Sequence, residues 1–427
     1  MKPLLDSIKV GKLDSKVVDD KVRRILYVML KLDLIGKSKP DTRGTAADKL
    51  GTPERAKTAL KIAEESIVLL KNKQLLPFNL KKIKTLAVIG DNATRKHAHG
   101  GGSPSIKAKY EITPLEGLKT RLGNSVKINF VQGYNVSADM KIVDQALIDE
   151  AVKTASSSDA VLIFGGLNHE PGLDCEGTDK ADMKLPYGQD ELIKAVIKAN
   201  PNTVVVMIAG SPVDMSDWTS NVKGLIYTSY LGMETGTALA KTIAGDINPS
   251  GKLTYTLPIK LEDNPTYVLG EYPGTDGVVH YNDDIYVGYR FYDTKNVKPL
   301  FPFGFGLSYT SFKYGNYKAE CSGKDESLSC GLSFEITNTG KVAGKEIAQV
   351  YVRDAQSALP RPYKELKGFS KVSLKPGETK NVKVTLNQRA FQYYDPVKKQ
   401  WVLEPGKFEI LVGSASDHIL LTQQVEL

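Results

Sequence analysis

The densest run of reactive side chains is Gly165-Gly166-Leu167-Asn168-His169-Glu170-Pro171-Gly172-Leu173-Asp174-Cys175-Glu176-Gly177-Thr178-Asp179. It follows the apolar run Ala160 to Phe164, so it has the pattern of a loop leaving the carboxyl end of a β-strand. Four carboxylates and a histidine gathered there suit either a metal site or acid/base work on a sugar, in which a positioned carboxyl gives up and regains a proton. Spacing alone leaves a third reading open, a solvated acidic loop.

Two other sets of residues invite a chemical reading. Ile89-Gly90-Asp91-Asn92-Ala93, with His99-Gly100-Gly101-Gly102-Ser103 shortly after, stands where a dinucleotide fold would put its phosphate loop. The Gly-x-Gly-x-x-Gly spacing is absent and no helix clearly opens at these glycines, so a tight loop at the edge of a sheet, able to approach a ligand or another domain closely, is the better reading. Cys175, Cys321 and Cys330 match no CxxC metal spacing. Cys321 and Cys330 suit either a bridge across a hairpin or two free thiols.

The elements that must position these residues follow from periodicity. Between Lys16 and Leu34 the apolar residues Val18, Val22, Ile25, Leu26, Met29 and Leu32 recur at helical spacing, which predicts one amphipathic helix with no domain of its own within residues 1–36. Residues 37–52 read as a polar linker. A second helix is expected over about Pro53 to Lys71, with Thr52 as its cap and Pro53 in its first turn. Beyond it, the runs Thr85 to Ile89, Ala160 to Phe164, Thr203 to Ile208 and Gly224 to Tyr227 alternate with helix-like stretches near Val143 to Ser156, Gly188 to Ala199 and Glu234 to Ala244. That alternation predicts an α/β domain over 53–260 with a mostly parallel sheet covered on both faces. An irregular Tyr- and Gly-rich segment, 261–312, leads to 313–427, where period-two alternation punctuated by Asn338-Thr339-Gly340, Pro376-Gly377-Glu378 and Pro405-Gly406 predicts a β-sandwich of about seven strands.

Composition narrows the partners. The net charge of +8 comes from 57 Lys and Arg scattered among 49 Asp and Glu with no block of five basic residues, which argues for a solvated basic surface and against nucleic acid. No stretch of eighteen apolar residues is present to span a membrane. The first residues lack the apolar core and cleavage site of a signal peptide. They read as the interior of a longer protein, which would be periplasmic or secreted if that precursor carries the signal.

A chain of ordered segments gives the acidic loop its meaning. Val22-Arg23-Arg24-Ile25-Leu26, Glu65-Ser66-Ile67-Val68-Leu69-Leu70-Lys71-Asn72, Ala87-Val88-Ile89-Gly90, Asp174-Cys175-Glu176-Gly177-Thr178-Asp179 and Gly245-Asp246-Ile247-Asn248-Pro249-Ser250-Gly251 occur in that order. Tyr286-Val287-Gly288-Tyr289-Arg290-Phe291-Tyr292-Asp293, Phe301-Pro302-Phe303-Gly304-Phe305-Gly306 and Lys364-Glu365-Leu366-Lys367-Gly368-Phe369 complete it. Together they resemble glycoside hydrolase family 3, which includes many β-glucosidases, over nearly the whole chain.

The resemblance implies an α/β sandwich domain followed by a fibronectin type III-like domain, both downstream of a (β/α)8 barrel that these residues do not contain. The helix at 16 to 34 looks like the last piece of that barrel. By the same resemblance Glu176 is the general acid/base of a retaining, exo-acting enzyme, with Glu170 as the alternative on the same loop and Asp174 and Asp179 as candidate substrate contacts. The nucleophile would lie on a barrel, supplied here by a separate chain, and without it this chain alone should be nearly inactive. A non-catalytic carbohydrate-associated or structural module from a truncated gene is the competing expectation. The expected ligand is an oligosaccharide or aryl glycoside, with no metal or cofactor. Ser216-Asp217-Trp218 looks like the family's nucleophile motif, but its neighbours match the second domain, so Asp217 is expected at a helix start. Lys180 stands where the family commonly has Arg, and Asp284 where it usually has Glu.

Overall fold

The computed structural model describes residues 2–32, 34–35 and 51–427. They form two compact units, Met1–Arg55 and Ala56–Leu427. In the first, α1 (Lys2–Lys9) is followed by α2 (Ser15–Lys31), whose first turn is capped by the Asp14 carboxylate accepting from the Lys16 N–H at 2.9 Å. The expected apolar stripe is present on α2, yet none of its residues is buried, and Val22, Ile25 and Leu26 are exposed. The expected linker lies outside the described residues but for Gly51 and Thr52.

Helix α3 (Pro53–Ser66) starts as its sequence predicts, with Thr52 Oγ1 accepting from the Arg55 N–H at 3.3 Å. It does not continue to Lys71. Ile67, Val68, Leu69 and Leu70 are all buried, so the run is apolar on both sides and forms strand β1 (Val68–Asn72). A consecutive apolar run of this length is ambiguous between buried helix and buried strand, and here the sheet wins.

The sheet has the order β1-β6-β5-β4-β2-β3. Its members are β1, β2 (Thr85–Ile89), β3 (Lys127–Val131), β4 (Ala160–Gly166), β5 (Thr203–Ile208) and β6 (Gly224–Thr228). β2 to β6 pair in parallel, and β1 closes one edge antiparallel to β6. Successive side chains of a strand point to opposite faces, so each strand feeds two cores. Ala87, Ile89, Val161, Ile163, Val205 and Met207 pack under α5 (Gln145–Ser156), α6 (Gln189–Ala199) and Trp218. Leu86, Val88, Leu162, Phe164, Val204 and Val206 pack under α4 (Pro114–Leu122) and α8 (Thr235–Ala244), with the single-turn α7 (Ser216–Thr219) lying between α6 and α8 in the chain. Two elements of this layer went unread in the sequence. Edge strand β3 is only partly buried and carries Lys127 and Asn129, which hides its apolar signal. Helix α4 announces itself only by the reciprocal cap between Thr113 and Glu116 with Pro114 in the first turn.

The carboxy-terminal sheets bear out the expected sandwich. β7 (Phe312–Ser322), β8 (Ser329–Asn338) and β11 (Thr379–Asn387) make one sheet. β9 (Gly344–Asp354), β10 (Glu365–Leu374), β14 (Lys407–Ala415) and β15 (His418–Glu426) make the other, so seven strands enclose the core. A two-stranded ribbon, β12 (Tyr393–Asp395) with β13 (Gln400–Val402), stands apart from them. Alternate residues Phe334, Ile336, Val350, Val352, Phe408 and Ile410 fill the space between the sheets. Cys321 and Cys330 are cross-strand partners on β7 and β8 and are joined as a disulfide.

Polar contacts fix the sandwich against the α/β layer. Glu65 at the end of α3 bonds both Lys345 on β9 and Lys371 on β10. Lys252 meets Glu346 at 3.2 Å, and Glu346 also accepts from the Tyr314 hydroxyl at 3.1 Å. Burial alone would push the Glu65 carboxyl up, but the two lysines outweigh it and hold it at about 2. A carboxylate depressed on folding contributes stability above its unfolded value and loses it as pH falls through its folded one. Glu65→Gln should therefore lower the melting temperature at pH 7, and thermal melts should show the deficit shrinking as pH falls from about 4.5 towards about 2. A deficit independent of pH would mean that the lysines do not hold this carboxyl.

Candidate active site

Because β2 to β6 run parallel, the loops after β2, β4, β5 and β6 all emerge at one edge of the sheet. The chain leaves β2 for β3 on one side and returns to β4 on the other, so the strand order reverses between β2 and β4. Loops diverge at such a switch point and leave a crevice where ligands of open α/β sheets bind. The glycine-rich and acidic segments are the loops on its two sides.

They meet directly. Gly101 and Cys175 pair as a parallel bridge, the Glu176 N–H donates to the Gly101 carbonyl at 2.9 Å, and the Ser103 N–H donates to the Glu176 carboxylate. A side chain at Gly102, whose φ is +98°, would begin 2.5 Å from Glu176 Cβ, so only glycine permits this approach. Of the two readings of the glycine segment, the tight loop is the one realised.

The acidic residues divide by environment. Asp174 is half-buried and fully engaged, accepting from the Gly210 N–H at 2.7 Å, the Ser211 hydroxyl at 2.5 Å and the Tyr230 hydroxyl at 2.6 Å. It ties the loop after β4 to the loops after β5 and β6. Asp179 accepts from the Tyr272 hydroxyl, which reaches it from the irregular segment after the α/β layer. Glu170 is exposed and lies 3.6 Å from Arg95, which also binds Asp91 at 2.6 Å. Lys180 does not reach across the crevice; its ammonium donates to the Pro212 carbonyl at 2.6 Å.

Glu176 stands apart from these. Its side chain is exposed, and the Ser103 hydroxyl and N–H together hold its carboxyl below the usual glutamate range. The raised pKa that a general acid needs is not present in the open loop, and neither Asp174 nor Asp179 supplies it. Behind the loop, His97 is buried with neither ring nitrogen hydrogen-bonded among the described residues. Desolvation, then repulsion from His169, Arg95 and His99, lowers its pKa to about 3, so the ring is neutral. No group of three or more His, Cys, Asp or Glu that could hold a metal occurs among the described residues.

Asp217 sits in α7 with its side chain 71% exposed and 3.4 Å from Lys194. Just before the helix, Asp214 accepts from the Ser216 N–H at 2.9 Å and hydroxyl at 2.6 Å, while the N-cap position is Met215. The neighbouring Trp218 is fully buried and its indole N–H donates to Asp190 at 2.9 Å. Desolvation raises the Asp190 carboxyl to about 6 despite that bond.

Residues 67–309 match the glycosyl hydrolase family 3 C-terminal domain, and residues 346–416 match a fibronectin type III-like domain. The chain belongs to glycoside hydrolase family 3. A beta-glucosidase of Bacteroides ovatus is 41% identical over 98% of this chain and 57% of its own length. The thermostable beta-glucosidase B of Acetivibrio thermocellus is 41% identical over 100% of this chain and 54% of its own. The chain thus spans little more than half the length of these relatives. The crystal structure of a Bifidobacterium adolescentis family 3 beta-glucosidase superposes with a TM-score of 0.83 at 33% identity, covering 100% of this chain and 60% of the other.

Within the family 3 frame, Ser103, Arg95, Tyr230 and Tyr272 are the contacts that sequence reasoning did not identify. Their partners lie tens of residues away, and only the glycine segment gave notice of a close approach. Asp174 is the knot of the arrangement. Asp174→Ala leaves two hydroxyls and an N–H without their acceptor and should cost ~1–3 kcal/mol. Amide exchange across residues 167–179 should rise with it. Unchanged stability together with unchanged exchange would show that the loop holds its shape without this carboxylate.

Proposed function

We propose that this chain supplies the acid/base part of a retaining, exo-acting β-glycosidase. In this reading Glu176 is the proton donor and a nucleophilic carboxylate comes from a barrel outside these 427 residues. Residues 53–260 and 313–427 then act as two domains joined by 261–312, and α2 is the last helix of that barrel. The observation that carries the reading is the placement of an exposed glutamate at the switch-point crevice, on a backbone clamped to the glycine loop while every neighbouring carboxylate is engaged elsewhere. Family membership and the beta-glucosidase relatives support the same sugar chemistry.

The steps follow from charge. The nucleophile attacks the anomeric carbon as Glu176 protonates the departing oxygen, with the two carboxyls ~5–5.5 Å apart, and the resulting carboxylate then takes a proton from the water that releases the sugar. The resting bonds from Ser103 favour the charged form, so the proton must be acquired when sugar and barrel exclude water and desolvate the carboxyl. Glu170 is the weaker candidate: its carboxylate pairs with Arg95 at 3.6 Å, whereas the segment resembling the family's acid/base loop is Asp174-Cys175-Glu176-Gly177. Asp217 is not a candidate nucleophile, since it is an exposed helix-start residue on another loop.

Two measurements test this. The 427 residues on their own should not hydrolyse aryl β-glycosides; turnover that survives Glu176→Ala and is lost in Asp217→Ala would overturn the assignment. Mixed with or joined to a barrel from a close relative, Glu176→Ala should depress cleavage of a poor leaving group by ~10²–10⁴-fold and that of a good one far less, since only the poor one needs protonation. Added azide should restore the second step. The same signature in Glu170→Ala would move the role to Glu170, and its absence in both would make the loop structural and this chain a non-catalytic module.

A further inference from the structure

A cleft of about 830 Å³ opens on the β-sandwich between the β12–β13 ribbon and the chain leading into β10. Its size falls in the range of roughly 300–1,000 Å³ typical of small-molecule sites. None of its lining residues belongs to the acidic loop, so what it binds is independent of Glu176.

One wall is aromatic. Tyr394 and Trp401 are direct partners across the ribbon, with ring centroids 5.3 Å apart, and each is 46% exposed. The two rings are inclined by 58°, so each leaves its own apolar area in water at the cleft mouth, and a flat apolar surface would cover either one. The C–H face of a pyranose is such a surface, and its rim of hydroxyls stays wet.

The other wall is cationic. Arg290, Arg361 and Lys367 converge on the single carboxylate of Glu365, at 3.4, 2.9 and 3.4 Å. Arg361 also meets Asp354 at 3.1 Å, and Arg389 lies over the Trp401 ring, where the indole face attracts it. Among the described lining residues the only other carboxylate is the exposed Asp284. The side chains of Arg361 and Glu365 are 5% and 14% exposed, so this charge is built into the wall. Counting Asp354 behind Arg361, four cations meet three carboxylates, which leaves one positive charge to be met by a ligand. No glycine lines the cleft among the described residues, so it lacks the backbone cradle that polyphosphates use.

We propose that this cleft binds a short acidic oligosaccharide, with sugar faces stacked on Trp401 and Tyr394 and a uronate carboxylate received by Arg290, Lys367 and Arg389. Calorimetric titration of the intact chain with trigalacturonate, neutral cellotriose and AMP tests it. Trigalacturonate should bind saturably, ~10-fold or more tighter than cellotriose, and ~10-fold more weakly after Trp401→Ala or Arg290→Gln, a tenfold change being about 1.4 kcal/mol. Its affinity should also fall as salt rises. Trp218 is fully buried, so a change in indole fluorescence on binding reports on Trp401. If Trp401→Ala melts early, Arg389→Gln at the cleft surface takes its place. Absence of saturable trigalacturonate binding, equal affinity for cellotriose, tighter binding of AMP, or indifference to these substitutions would each overturn the proposal.

Discussion

Complete burial of the central strands is the constraint from which the rest follows. Every residue of β4 and β5 is buried, and their side chains alternate between two separate cores. A strand in that position has no surface to offer a ligand, so chemistry is confined to the loops at the strand ends. Parallel pairing then puts the loops after β2, β4, β5 and β6 on one edge, and the reversal of order between β2 and β4 opens a crevice among them. The glycine loop and the acidic loop are neighbours because the sheet leaves them no other place.

The same logic separates residues that build the frame from those that face solvent. Several motifs that mark the family turn out to hold domains together. Asp293, from Tyr286–Asp293, bonds Lys364 at 2.7 Å, and Tyr289 accepts from the Leu366 N–H at 2.7 Å, so two distant signature segments are halves of one contact. Desolvated ion pairs of this kind add little net stability compared with apolar packing, but they are costly to break singly and so fix register between layers. Glu65, Lys345 and Lys371 do the same where α3 meets the sandwich.

Much of this frame was legible in the sequence. Periodicity gave four of the five parallel strands and the seven-strand sandwich because those runs are apolar in the patterns that burial on two faces, or on one, demands. It failed at Ile67 to Leu70, where an unbroken apolar run carries no period, and at β3, where an edge position admits Lys127 and Asn129. The acidic loop was legible as a site, but its internal division of labour was not. Asp174 and Glu176 are two residues apart and alike in sequence, yet one is bound by three donors from later loops and the other points into solvent. That difference depends on Gly210, Ser211, Tyr230 and Ser103, and contacts spanning 36 to 73 residues leave no local trace.

The two features that remain out of balance pose one physical problem. Bonds from Ser103 favour the charged form of Glu176, and a carboxylate in that state accepts protons but does not donate them at neutral pH. The apolar face of α2 is likewise uncovered, with Val22, Ile25 and Leu26 in contact with water. Neither condition follows from a failure of local design, since Asp14 caps the helix and the Gly101 carbonyl holds the Glu176 backbone. What each lacks is a surface that excludes water. Covering the helix would gain the hydrophobic free energy of its stripe. Covering the loop would raise the cost of the charged carboxylate and move Glu176 towards its protonated form. Under the proposed reading a single docked barrel meets both demands, so the group that brings the nucleophile also converts the latent base into an acid.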